Sequence, residues 1–220
     1  MNRYVICFDT ETTGLSPEKD RIIQMSWLVV NVIKNTIIYK RDYIVRIDED
    51  IQMGDRAFAA HGITMEKSKE VGKPIKDVLQ SFITSVKMAS MVVGHNVNFD
   101  INMVNAECER NNISSPFTLF RKDKIYCTMY KTTSLCKIPF QNSKPYHNTS
   151  KRSNFKRYKY PSLSELHEHL FGSIYKVNKT CLHNSLYDVL LTLHCYMYLE
   201  YNVDFYGEVP DEYSLCLHIR

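Results

Sequence analysis

Along the first fifty residues the hydrophobic and polar positions alternate or run together in the manner of strands. Tyr4 to Thr10, Arg21 to Asn31 and Ile37 to Ile47 are rich in Ile, Val, Tyr and Phe, and turn-prone residues separate the first two, which predicts three strands in a meander. Beyond a polar stretch that includes His61-Gly62-Ile63-Thr64 the period changes. Ile75, Val78, Leu79, Phe82 and Val86 recur at helical spacing, predicting a helix that covers one face of the sheet. Met91-Val92-Val93-Gly94 is a short apolar run of the kind a buried strand gives, and Ile101, Val104 and Cys108 carry a helical repeat through residues 98 to 112. Leu186, Val189, Leu190, Leu193 and Met197 mark an amphipathic helix over about 185–200. An antiparallel start followed by strand-helix units predicts a mixed α/β sheet with helices packed against it.

Composition narrows the class. The chain has 220 residues, 44% apolar and 24% charged, with 7 Gly and 7 Pro, which predicts one ordered globular domain rather than a disordered chain. The longest apolar stretches, such as Met25 to Val32, fall far short of the ~20 residues of a membrane span. An acidic residue already at position 9 leaves no room for a signal peptide, so the expectation is an intracellular protein, cytoplasmic or nuclear. The abundance of Lys, Asn, Ile and Tyr points to an A/T-rich genome, such as that of a virus. The seven cysteines (Cys7, Cys108, Cys127, Cys136, Cys181, Cys195 and Cys216) lack paired spacing, suit a reducing compartment and read as small buried hydrophobes. Cys181 near His183, Cys195 beside His194, and His167 near His169 leave zinc as an alternative, although no CxxC or HxxxH is present.

The net charge of +4 is mild but unevenly spread. Lys124 to Ser164 holds nine basic residues and no acidic one, leaving the rest of the chain at −5. Phe140, Tyr146, Phe155, Tyr158 and Tyr160 sit among these cations with Asn, Ser and Pro, which is loop chemistry. One reading is a solvated surface loop. The other is a nucleic-acid contact, in which Lys151, Arg152, Lys156 and Arg157 neutralise phosphates while rings stack on unpaired bases.

Three segments carry candidate chemistry. In Cys7-Phe8-Asp9-Thr10-Glu11-Thr12-Thr13-Gly14 the two acids are two residues apart, so on a strand they project from one face. Like charges there are costly unless a cation lies between them, and the competing reading ends the strand at Asp9 with both acids in a solvated turn. In Val93-Gly94-His95-Asn96-Val97-Asn98-Phe99-Asp100 a strand delivers Asp100 to the first turn of a helix, where the dipole favours an acid in any case. In His183-Asn184-Ser185-Leu186-Tyr187-Asp188 the His and Asp would diverge by ~140° on a single helix. They converge only if His183 lies in the preceding loop, with Asn184 or Ser185 as the cap.

Taken together, the order and spacing of these segments resemble the three motifs of the DEDDh branch of the DnaQ-like 3′-to-5′ exonucleases. Asp9 and Glu11 match the first motif, Asp100 the second, and His183 with Asp188 the third. His61-Gly62-Ile63 and the stretch from Leu163 to Leu170 are also similar. The resemblance implies an RNase H-like α/β fold, a mixed five-stranded sheet flanked by helices. It implies a single exonuclease domain over residues 1–205 with a basic insertion at about 137–160, and a C-terminal tail, 206–220. Two divalent cations, Mg²⁺ or Mn²⁺, would be held by Asp9, Glu11, Asp100 and Asp188, with Asp9 bridging both, Glu11 and Asp188 on the ion of the attacking water, and Asp100 on the other. His183 would be the general base. Thr10, Thr12, Leu15, His61, Ile63, Asn96 and Phe99 would grip the terminal nucleotide. The implied partners are 3′ ends of single-stranded DNA or RNA, DNA preferred, and a polymerase or a replication or repair complex. An RNA-trimming enzyme and a catalytically silent binding module are the alternatives.

Overall fold

The computed structural model describes residues 3–48, 50–140, 158–172 and 174–205, with only the backbone of Leu119 and of 217–219. Strands β1 (Tyr4–Thr12), β2 (Ile22–Asn31) and β3 (Thr36–Arg46) form the expected antiparallel meander. Helices α1 (Asp55–His61) and α2 (Met65–Val71) follow, then the two-residue strand β4 (Lys73–Pro74) and helix α3 (Ile75–Val86). Next come β5 (Val92–Gly94), α4 (Val97–Arg110), β6 (Ile125–Cys127) and α5 (Thr128–Cys136). Helix α6 (Leu163–Phe171), strand β7 (Tyr175–Val177), helix α7 (Ser185–Tyr201) and strand β8 (Leu217–Ile219) complete the order. The main sheet runs β4-β3-β2-β1-β5-β6, with β5 parallel to β1 and β6 parallel to β5. It is therefore the expected mixed sheet plus one short edge strand, β4, that pairs with the end of β3.

Strand alternation sends successive β1 side chains to two different cores. Ile6 and Phe8 pack with Trp27, Phe82 of α3 and Val104 of α4. Val5 and Cys7 pack on the other face with Leu28, Val30 and the α7 residues Leu186, Val189, Leu190 and Leu193. With a layer on each face, β2 is buried at all ten positions, seven of them apolar and three, Gln24, Ser26 and Asn31, polar. No helix among the described residues is long and apolar enough to cross a membrane. Cys7, Cys108, Cys127, Cys136 and Cys195 are free thiols. Cys181 departs from the reduced-cysteine expectation, being disulfide-bonded.

Candidate active site

The alternation that builds the two cores also aims the acids. Continuing β1 beyond Cys7, Asp9 and Glu11 emerge on the α7 side and Thr10 on the opposite side. The strand does not stop at Asp9: Glu11 still pairs with Gln24, and a register shift comes only between Glu11 and Thr12. The reading of both acids as solvated turn residues is thereby replaced, since Glu11 is only 9% exposed.

Helix α4 supplies Asp100 in its first turn. Asn96, in the left-handed conformation at φ 59°, turns the chain from β5 into this helix. A Cβ at Gly94 would stand 2.8 Å from Val97 Cγ2, so the turn accepts only glycine without a shift. The Thr10 backbone N–H (3.0 Å) and hydroxyl (2.7 Å) both donate to Asp100 Oδ1. Thr10, expected to grip a nucleotide, thus also orients a carboxylate.

Helix α7 supplies the third segment. Asn184 is its N-cap, accepting from the Tyr187 N–H, and Asp188 lies in the first turn. His183 sits exposed in the preceding loop at φ 62°. For a residue other than glycine such a backbone costs on the order of 1–3 kcal/mol. Its N–H donates to Asp188 Oδ2 at 3.1 Å, so the loop and the first turn hold each other. Ser185 is fully buried. Its N–H donates to Gln24 Oε1 (3.3 Å) and its hydroxyl meets that of Ser26 at 2.5 Å, while Ser26 donates onward to Asp42. This network fixes the start of α7 against β2 and explains why a small residue follows His183 by two. Ser185→Leu should therefore overpack the junction, at a cost of about 1–3 kcal/mol, and misplace Asp188. A thermal melt with a Mn²⁺ titration checks it: the expected result is a lower Tm together with weaker metal binding.

One ligand atom from each of Glu11, His183 and Asp188 falls within a 4.8 Å cluster. Burial, and then repulsion from the other acids, pushes Asp9 well above the carboxylate range and Glu11 to about 8. Burial likewise lifts Asp100 to about 7 against two hydrogen bonds from Thr10, and Asp188 to about 7. Asp188 Oδ1 is buried without a hydrogen-bond partner. An orphaned carboxyl oxygen amid mutually repelling acids offers oxygen donors of the kind that a hard divalent cation takes.

The same shifts carry a sign for stability. Unfolded carboxyls titrate near ~4, so the metal-free folded chain holds extra protons above that pH. The resulting stabilisation is complete below about 4 and lost as pH rises through about 7 to 8. In EDTA the Tm should fall between pH 6 and pH 9, and Mg²⁺ should restore more of it at the upper end. Melts at both pH values check this, with Asp188→Asn expected to flatten the dependence.

Beside the acids lies a cavity of about 570 Å³. Thr10, Glu11, Thr12, Leu15, His61, Phe99 and His183 line it, and Gly54 to Ala57 with Ala60 form its other wall. Leu15 is 83% exposed at the rim. His61 Nε2 donates to the Thr12 carbonyl (3.2 Å), and its Nδ1 accepts from the Ile63 N–H (3.0 Å). Gly62, at φ 66°, makes the turn that lets the ring reach back. Two expected contacts are not brought to the wall: Ile63, 6% exposed, packs with Ile23 and Ile47, and Asn96 acts as the backbone turn before α4. The wall from α1, including Arg56, escaped the sequence analysis because that helix buries no residue and shows no apolar stripe. Lys151, Arg152, Lys156 and Arg157 lie outside the described residues. The cysteine–histidine pairs build no zinc-type cluster among the described residues. Cys181 is disulfide-bonded and His167 Nε2 meets His194 Nδ1 at 3.1 Å.

Comparison with known proteins agrees with this geometry. The sequence profile of the exonuclease family, RNase T type, matches residues 6–196. DNA polymerase III PolC-type of Streptococcus pyogenes serotype M18 is 36% identical over 114 residues, 50% of this chain and 7% of the polymerase. The corresponding polymerase of Streptococcus pneumoniae serotype 2 has the same identity and coverage. Among solved structures, E. coli exonuclease I in complex with a dT13 oligonucleotide superposes with a TM-score of 0.69 at 15% identity, over 90% of this chain and 41% of that one. Its zinc-bound form with single-stranded DNA gives 0.67 at 16%, over 92% and 41%. The chain thus spans under half of each.

Proposed function

This chain belongs to the exonuclease family, and on that premise we propose that it is a divalent-metal-dependent 3′-to-5′ exonuclease. Its substrate is single-stranded nucleic acid, DNA preferred, and its products are nucleoside 5′-monophosphates. The observation that carries the reading is the convergence of Glu11, His183 and Asp188 around one point, with a buried, unpartnered Asp188 oxygen in the cluster. Asp9, Glu11, Asp100 and Asp188 would hold two cations, Mg²⁺ or Mn²⁺. When bound, such ions stabilise charge developing on phosphoryl oxygens and acidify water. His183 takes the proton of the attacking water at its imidazole, which its exposed loop position at the mouth of the cavity allows. The terminal nucleotide occupies the cavity, with Leu15 and Phe99 against its base and His61 bracing the wall behind it. Preference for DNA is supported by relatives named as DNA polymerases and by a neighbour solved with oligothymidylate. A polymerase or a repair complex is the partner that the polymerase relatives suggest.

Chromatography of the digestion products tests this reading. Release of 5′-mononucleotides from a single strand, dependent on Mg²⁺ or Mn²⁺ and lost in EDTA, is expected. Nucleoside 3′-phosphates or internally cut fragments would overturn it.

A further inference from the structure

The ends of the basic insertion lie within the described residues. They meet through the Lys159 N–H, which donates to the Ile138 carbonyl at 2.9 Å. The segment leaving the insertion is then tied to the turn that leads into Asp100. His95 Nε2 meets the Pro161 carbonyl at 3.0 Å and His95 Nδ1 meets Thr128 Oγ1 at 2.9 Å. A carbonyl only accepts, so Nε2 carries the proton, while the Thr128 hydroxyl also reaches the Gly94 carbonyl at 3.3 Å. One imidazole from the second motif therefore pins both the start of α5 and the exit of the insertion.

One residue before Pro161 stands Tyr160, and two beyond Thr128 stands Tyr130. Their rings meet edge to face at 5.1 Å, a contact that occupies only one face of one ring. Tyr160 remains 57% exposed and Tyr130 44%, a large aromatic surface to leave in water. Ser134 continues the Tyr130 face of α5 at the fourth position, and the exposed Lys137, at φ 49°, is the residue on which that helix ends. Glu165, in the first turn of α6, is already paired with Lys159 at 2.7 Å and accepts from the Ser162 N–H. In sequence, Lys124 to Ser164 contains no acidic residue.

We propose that Tyr130 and Tyr160, with Lys137 at the end of the helix that carries Tyr130, form a stacking platform for the single strand upstream of the nucleotide being removed. Exposed rings offer a sequence-tolerant π-face to bases, and the cation meets the phosphate between them. The His95 latch sets the platform at a fixed position relative to the second-motif turn, so bases stacked there register the strand while its 3′ end enters the cavity. The inference rests on the exonuclease reading for its direction, but binding to the rings is measurable without catalysis.

The test is equilibrium binding of fluorescein-labelled oligothymidylates, about 20 nucleotides and three nucleotides long, to the full chain in EDTA. Tyr130→Ala with Tyr160→Ala should weaken the long strand by about tenfold or more, while Tyr130→Phe with Tyr160→Phe keeps its affinity, because a ring suffices for stacking. Lys137→Gln should lower the salt slope of the long strand by about one. Unchanged long-strand affinity in the alanine pair would overturn the platform. So would equal weakening by the phenylalanine pair, which would assign the tyrosines to hydroxyl or packing roles. If the native chain binds the strands as described but never shortens them with Mg²⁺, the exonuclease reading fails and the platform stands.

Discussion

Asp9→Asn is expected to lower kcat on single-stranded DNA by at least about a thousandfold, while the metal-free protein becomes more stable at pH 8. Both effects follow from one arrangement. Asp9 lies on the α7 side of β1 and feels Asp100, Asp188 and Glu11 together, after burial the causes that hold its carboxyl well above the usual range. Neutralising it removes repulsion from the apo cluster and removes one of the four acids that would hold the cations. Steady-state rates with Mg²⁺ and a melt in EDTA measure the two halves. A variant that keeps its rate would show that the cluster is structural, and one that melts lower in EDTA would show that its charges are not in conflict.

His183→Gln should cost about 10² to 10⁴ in kcat, the range for a positioned general base, with little change in Tm, because the side chain is exposed and makes its main structural bond through the backbone to Asp188. Because the backbone N–H to Asp188 survives the substitution, the first turn of α7 keeps its geometry. A kcat within about threefold of the native value would remove His183 from the reaction.

The central strands could be read from the sequence because burial on both faces left them rich in Ile, Val, Leu and aromatic residues. β2, buried at every position, is the clearest case. The strand-helix unit of β5 and α4 was legible because a short apolar run precedes a helical repeat. Helices α1 and α2 were not, since α1 buries no residue and α2 buries only Ser68, so neither leaves a hydrophobic period. Helix α5 buries Thr128 and Thr132 rather than aliphatic residues, and β6 and β7 are three residues each, too short to alternate visibly. For the site, residue spacing alone indicated that His183 must lie in the loop before α7. Selecting Asp9, Glu11, Asp100, His183 and Asp188 as a set came from the motif resemblance, because their convergence depends on contacts between elements far apart in sequence. The buried bridge from Ser185 through Ser26 to Asp42 needed the packed sheet to become visible, as did the latch from His95 to Pro161.

The central claim is directional, metal-dependent hydrolysis by one cluster of acids. The measurement that tests it most directly is a time course on 5′-labelled single-stranded DNA and RNA of matched sequence, with Mg²⁺, Mn²⁺ or EDTA, beside Asp9→Asn. The account predicts a ladder that shortens from the 3′ end, faster on DNA, present with either metal and absent in EDTA and in the variant. Labelled strands that stay full length with Mg²⁺ and Mn²⁺ while remaining bound to the protein would contradict it and leave a binding module built on an exonuclease fold.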